Sequence, residues 1–395
     1  MQSEKNKFNF DEIIDRNNSN CFKWDLAPKI FKNNDILPMW VADMDFAAPP
    51  EAVNALAERV RHKIFGYGAR PDSYYASFIN WAKKRYGLEV KKEHILFSPG
   101  IVPALSLSVA AYTGPGDKII IQPPVYPPFA GVVKDWGREL VENNLKLVGG
   151  RYEMDFEDLE AKAKSGAKMI FLCAPHNPVG RVWSPEELER FLGICQKYNI
   201  LVVSDEIHAD IIYSGSRHTC PAAVSEKAAD NMITLMSPSK TFNITGLSIS
   251  SAVIANKKLR EAFSAQTEKL HISQTNVFGI TAFEAAYSYG EEWLGSLLEY
   301  LEANRDYALG YISNRIPRLK ALKPESTFLM WIDFKSLGMK QAELNDFIVN
   351  KARLGLNDGA SFGAAGEGFM RLNFGCPRKT LSEGLLRLEN AVNNL

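Results

Sequence analysis

An excess of charge of either sign is absent: 46 lysines and arginines stand against 46 aspartates and glutamates in 395 residues. A balanced chain has no electrostatic pull toward nucleic acid or an anionic membrane, both of which favour a basic patch, so neither is expected as a partner. Cysteine is sparse. Cys21, Cys173, Cys195, Cys220 and Cys376 are odd in number and include no CxxC pair. A full disulfide framework and a zinc ribbon are therefore excluded, no metal is expected, and a reducing cytoplasm fits best. No run of about 18 apolar residues offers a membrane span, and the opening stretch MQSEKNKFNFDEIIDRNN lacks the apolar segment of a signal peptide. The expectation is a soluble, unexported, cytoplasmic protein that works on small molecules. Neither an internal repeat nor a Pro/Gly/Ser linker divides it.

What is present is an alternation of apolar runs and helical patterns. KIIIQ at 118–122, MIFLCAP at 169–175, ILVVSDE at 200–206 and MITLMS at 232–237 are continuously apolar, as in strands buried on both faces. Between them, residues 184–198 have helical length, with Ser184, Pro185 and Glu187 forming a helix start of the capping-box type. This order predicts an α/β fold with a mostly parallel, doubly wound sheet. After residue 290 a long charged helical stretch precedes strand-like runs at 328–334 and 368–375 and a last helix. The expected organisation is an N-terminal arm (1–48) packing with the small domain, a large domain (49–290) and a small C-terminal α+β domain (291–395).

Ligands of doubly wound sheets bind beyond the carboxyl ends of the strands. There this sequence places His176-Asn177-Pro178-Val179-Gly180, then Asp205-Glu206-Ile207-His208, then Ser237-Pro238-Ser239-Lys240-Thr241. An amide, a carboxylate and a lysine flanked by hydroxyls suit an aromatic aldehyde cofactor. The lysine can bond the aldehyde, the carboxylate can keep a ring nitrogen protonated, and the amide can donate to a phenolic oxygen.

In these residues the chain resembles the fold-type I pyridoxal 5'-phosphate enzymes of the class I/II aminotransferase superfamily. PMWVADMDF, SPGIVPAL, QPPVYPPF, LNDGASFG and GFMRLNFGCPR are similar to the MalY/PatB-type cystathionine β-lyases, a carbon-sulfur lyase family. The resemblance runs from about Phe8 to the C-terminus. It implies a large domain with a mostly parallel sheet flanked by helices, plus a smaller α+β domain. It further implies that Lys240 bonds the cofactor aldehyde and moves the Cα proton, that Asp205 pairs with the pyridinium, and that Asn177 meets the phenolic oxygen. Tyr126 matches the aromatic stacked on the ring. His208 is read equally as a second contact to the phenolic oxygen or as a structural histidine. Gly100, Ile101 and Val102 open a helix whose unpaired N–H groups suit the phosphate, with Ser237 and Ser239 adding hydroxyls. Tyr67 matches a tyrosine that reaches the phosphate of a neighbouring copy, which implies a homodimer. Arg371 matches the grip on the substrate α-carboxylate, and the Ala42 backbone a loop beside that group.

Two positions depart from the pattern. Ser248 stands where the superfamily often has a phosphate-binding arginine, and Pro127 stands where the family commonly has a second Tyr or a His. The implied reaction is β-elimination from L-cystathionine or another cysteine S-conjugate, giving thiol, pyruvate and ammonia. An aminotransferase is the alternative, because the shared motifs serve both chemistries. MalY-type members also bind a transcription activator, so a regulatory role stays open.

Overall fold

The structure, a computed structural model, describes residues 7–395. Its main sheet has seven strands: β1 (Ile95–Ser98), β2 (Lys118–Ile121), β3 (Glu139–Glu142), β4 (Met169–Cys173), β5 (Leu201–Asp205), β6 (Met232–Met236) and β7 (Ser250–Val253). They lie in the order β1-β7-β6-β5-β4-β2-β3. The four apolar runs become β2, β4, β5 and β6, parallel to their neighbours within that group. Only β7 is reversed, antiparallel to both β6 and β1.

Every residue of β4, β5 and β6 is buried, and their side chains alternate between two cores. Ile119, Phe171, Val203 and Ile233 face one core, shared with Leu105 of α1 (Ile101–Tyr112) and Phe263 of α3 (Lys257–Lys269). Ile120, Ile170, Leu172 and Val202 face the other, shared with Leu188 and Phe191 of α2 (Pro185–Lys197). With both faces covered, polar chemistry is confined to the strand ends.

A second sheet is antiparallel, with β8 (Lys320–Ala321), β9 (Leu329–Asp333), β10 (Asn357–Asp358) and β11 (Phe369–Asn373) in the order β8-β9-β11-β10. It packs with α4 (Glu291–Arg315) and α5 (Arg378–Asn393). One apolar core runs across residue 290 without interruption, joining Trp81, Phe242 and Phe283 to Trp293, Leu297, Phe328 and Leu385.

The N-terminal arm is stapled to the C-terminal part. Leu37–Pro38 pairs in parallel with Leu354–Gly355, and Phe10 lies edge-on against Phe46 and Trp293. Met39 lies so close to α5 that a Cβ on Gly384 would come 2.4 Å from its sulfur. That approach explains a glycine inside a helix, where it ordinarily costs about 1 kcal/mol against alanine. No helix among the described residues is long and apolar enough to cross a membrane.

The start of α2 forms as its sequence predicts. Ser184 Oγ accepts from the Glu187 N–H at 3.2 Å, and Glu187 accepts from the Ser184 N–H at 2.8 Å. Ser184→Ala should lower stability by about 1 kcal/mol and speed amide exchange at Glu187. Denaturant midpoints and hydrogen exchange check this; an unchanged rate at that amide would count against the cap.

Candidate active site

The carboxyl ends of β4, β5 and β6, the N-terminus of α1 and a loop of the arm enclose a cavity of about 360 Å³. Of the residues singled out in the sequence, Ala42, Gly100, Ile101, Val102, Tyr126, Asn177, Asp205, His208, Ser237, Ser239, Lys240 and Arg371 all line it. Tyr67 does not. It lies in a separate groove with Val277, Ile280 and Tyr289, and is 96% exposed.

Strand pairing brings the first groups together. Asp205 ends β5 directly across from Cys173 at the end of β4. Its carboxylate is buried and accepts one hydrogen bond, from the Ile207 N–H at 3.1 Å. Burial pushes it up to about 7, Glu206 adds to the rise, and the Ile207 N–H and Lys240 offset it only in part. A carboxylate so placed calls for a buried cation.

Lys240 sits in a short helix, Pro238–Thr241, capped by Ser237. Its ammonium donates to the Ala42 carbonyl at 2.5 Å. Burial lowers its pKa to about 8; Asp43 opposes this, Arg371 adds to it, and Asp205 opposes it. A lysine near 8 supplies a neutral amine at close to neutral pH, as a nucleophile or base requires.

Arg371, on β11, is a buried cation with no carboxylate partner. Its guanidinium donates to Asn177 Oδ1 at 2.9 Å, to the Trp40 carbonyl at 3.0 Å and to Asn357 Oδ1 at 2.6 Å, while its Nε has no partner. Burial lowers its pKa to about 10, against which Tyr126 acts. It is built to receive an anion from the cavity. By occupying the Asn177 oxygen, Arg371 also leaves the Asn177 amide as a donor.

His208 is buried with an unpartnered Nδ1, and burial, Lys240 and Arg371 together lower it to about 3. It is a neutral imidazole at any working pH. Ser237 Oγ lies 2.7 Å from both the Ile249 carbonyl and Ser239 Oγ. Gly100 caps α1, so the first N–H groups of a 12-residue helix border the cavity.

Neither departure lines the cavity. Pro127 is the N-cap of the helix Pro128–Asp135, whose first position, favourable to proline, is taken by Pro128. Ser248 ends a short turn at φ 50° and does not line the cavity.

Sequence reading passed over three residues. Asn357 lines the cavity opposite Arg371 in the β10–β11 register. Asn373 donates to the carbonyls of Val41 and Asp43, both at 2.6 Å. Asn243 grips Met44 through both its N–H and its carbonyl, and also the Phe46 carbonyl. Asn357 and Asn373 stand inside the quoted motifs LNDGASFG and GFMRLNFGCPR, and Asn243 follows Thr241 by two residues; that nearness was the available signal. Among the described residues no group of three or more His, Cys, Asp or Glu side chains is arranged for a metal ion.

Residues 34–388 match the family model for class I and II aminotransferases. The chain is 43% identical over 385 residues to the cystathionine β-lyase PatB of Bacillus subtilis, covering 97% of this chain and 100% of that one. Two solved structures are close in shape. A pyridoxal phosphate-bound putative aminotransferase from Clostridium difficile superposes with a TM-score of 0.96 at 46% identity, covering 98% and 100% of the two chains. Cystalysin from Treponema denticola, which contains pyridoxal 5'-phosphate, superposes with a TM-score of 0.95 at 34% identity, covering 98% and 99%.

The unmatched carboxylate generates a stability prediction. A buried acid whose folded pKa lies above its unfolded value destabilises the fold as pH rises from the unfolded value through the folded one, here from 3.8 to about 7. Asp205→Asn should therefore make the ligand-free protein more stable at pH 8, by on the order of 2 to 4 kcal/mol, with little difference at pH 4. Denaturant midpoints of ligand-free wild type and variant at both pH values check this. A less stable variant at pH 8 would mean that Asp205 has a cation partner of its own.

Proposed function

This chain belongs to the class I and II aminotransferase family, and we propose that within it the protein is a pyridoxal phosphate-dependent carbon-sulfur β-lyase acting on L-cystathionine or related cysteine S-conjugates. The observation that carries the reading is the pairing, in one cavity, of a buried carboxylate without a cation and a buried guanidinium without an anion. A ring nitrogen answers the first and an amino-acid carboxylate the second.

The donor set fits the cofactor. Lys240 would hold its aldehyde end, Asp205 its ring nitrogen, Asn177 and His208 its phenolic oxygen, and Tyr126 a face of its ring. The first turn of α1, with Ser237 and Ser239, would hold its phosphate without the arginine that Ser248 replaces. When bound, pyridoxal phosphate supplies an electrophilic aldehyde carbon and an electron-accepting ring.

The residues of the chain do the rest. Arg371 binds the substrate carboxylate and so fixes which bond of Cα stands toward Lys240. Lys240, poised near neutrality, takes the Cα proton as general base. Asp205 would keep the ring nitrogen protonated, the state in which the ring accepts electrons. With sulfur at Cβ, the carbon-sulfur bond breaks and thiolate departs with its electron pair. The atoms balance as L-cystathionine plus water giving homocysteine, pyruvate and ammonia.

The partner is proposed to be a second copy of the chain. Ile64, Phe65, Tyr67 and Tyr289 are exposed apolar side chains near one groove, a surface that favours association. In a homodimer Tyr67 would serve the neighbour's phosphate. A second reading, aminotransferase, is favoured by the name of the 46% identical Clostridium difficile structure.

Borohydride reduction of the loaded enzyme should fix the cofactor on the peptide containing Lys240, read by mass spectrometry; its recovery on another lysine removes Lys240 from the role. With L-cystathionine as sole substrate, pyruvate and homocysteine should appear in equal amounts over many turnovers while the cofactor keeps its aldehyde absorbance. Stoichiometric conversion to pyridoxamine phosphate without thiol release would replace the lyase by the aminotransferase.

A further inference from the structure

The loop 40–46 of the arm lies over the cavity as a strap. Its backbone meets the site at successive carbonyls: Trp40 to Arg371, Val41 to Asn373, Ala42 to Lys240 and Asp43 to Asn373. Asn243 holds its far end at Met44 and Phe46. None of these contacts uses the two carboxylates of the strap, Asp43 and Asp45.

Both carboxylates belong to an ion cluster built from the preceding arm, and the charge of Asp43 also reaches Lys240. Arg16 reaches Asp43 at 2.7 Å and Asp45 at 2.6 Å. Lys23, only 1% exposed, reaches Asp45 at 2.7 Å and stands 3.8 Å from Asp43. The Trp24 indole N–H donates to Asp45 at 3.0 Å. Two cations and two anions cancel, which is the condition for burying them, and loss of one leaves the others uncompensated. Burial alone pushes Asp45 upward, but Lys23, Trp24 and Arg16 overcome it and hold the carboxyl below its usual range. The cluster is a buried, charge-matched support for the strap.

We propose that Asp43 and Asp45, held by Arg16 and Lys23, are positioning residues for Lys240: their cluster fixes the strap so that the Ala42 carbonyl meets the lysine amine, and Asp43 lends that amine a neighbouring negative charge. The proposal rests on the reading of Lys240 as the working amine. Lys240 is faced by Asp43 from the strap, Arg371 from β11 and Asp205 from β5; Asp43 and Asp205 act against burial, and Arg371 acts with it. Asp43 thereby limits how far the enclosed amine loses its proton. Were the cluster only a fold staple, removing its charge would change stability and leave the proton affinity of Lys240 where it was.

The test uses cofactor-free protein, so its outcome does not depend on catalysis. Acetylation of Lys240 by limiting acetic anhydride, quantified on its own peptide across the pH range, gives the midpoint of its titration. Asp43→Asn should move that midpoint down by about half to one pH unit, and Asp43→Glu should restore it. Arg16→Gln, a change at a partly exposed side chain, should speed amide exchange in residues 40–46 about tenfold while exchange in β4 and β5 is unchanged; Arg16→Lys should recover much of the protection. An unmoved midpoint in Asp43→Asn, or wild-type exchange of the strap in Arg16→Gln, overturns the proposal. Failure of Lys240 as the cofactor's anchor would appear separately in the borohydride experiment and leaves both measurements readable.

Discussion

Charge enclosed without its complement, at the carboxyl edge of a sheet covered on both faces, is the constraint around which this molecule is organised. Asp205, Lys240 and Arg371 are each held away from their ordinary proton affinities by burial, and in the ligand-free protein none is fully compensated. Such a site is unfavourable for the fold and favourable for binding, because a ligand bearing the missing charges removes the penalty on arrival. The two apolar cores that flank β4, β5 and β6 make the arrangement tolerable, since they hold the strand ends in place whatever the charges prefer.

Contrast with the ion cluster of the arm clarifies the design. Arg16, Lys23, Asp43 and Asp45 are also enclosed, but they match one another in number and geometry. One group of charges is complete and rigid; the other, on the far side of the same loop, is incomplete and receptive. The backbone carbonyls of the strap carry position from the first to the second, and Asp43 is the one member of the cluster whose charge also reaches Lys240.

Much of this was legible from the chain. Continuous apolar runs marked β2, β4, β5 and β6, and the polar residues after them marked the cavity, because a sheet buried on both faces allows polar groups no other place. The capping box of α2 was local and therefore readable. What escaped was long-range. β7 is four residues, SSAV, whose reversal is set by the strands beside it, and β1 is equally short. Asn357 gains its meaning from a strand partner, and Asn243 and Asn373 from a loop some 200 and 330 positions away. An asparagine that staples a distant backbone has the same local signature as one in a turn. Tyr67 was placed by resemblance alone, and within one chain it stands apart from the cavity.

The stapling of the arm has a consequence for how the chain is made. Leu37 and Pro38 pair with Leu354 and Gly355, and the strap is held by Arg371 and Asn373. Positions 37–41 are thus completed by positions 354–373, which leave the ribosome some 300 residues later. Contacts of such separation pay a large loop-closure entropy and form late. Until Arg371 and Asn373 have been made, a nascent chain holds the strap only through Asn243 and the ion cluster and lacks the contacts at Trp40, Val41 and Asp43. The site is consequently incomplete in any chain interrupted before Arg371, which carries Lys240 and Asp205 without the contacts that seat the strap over them.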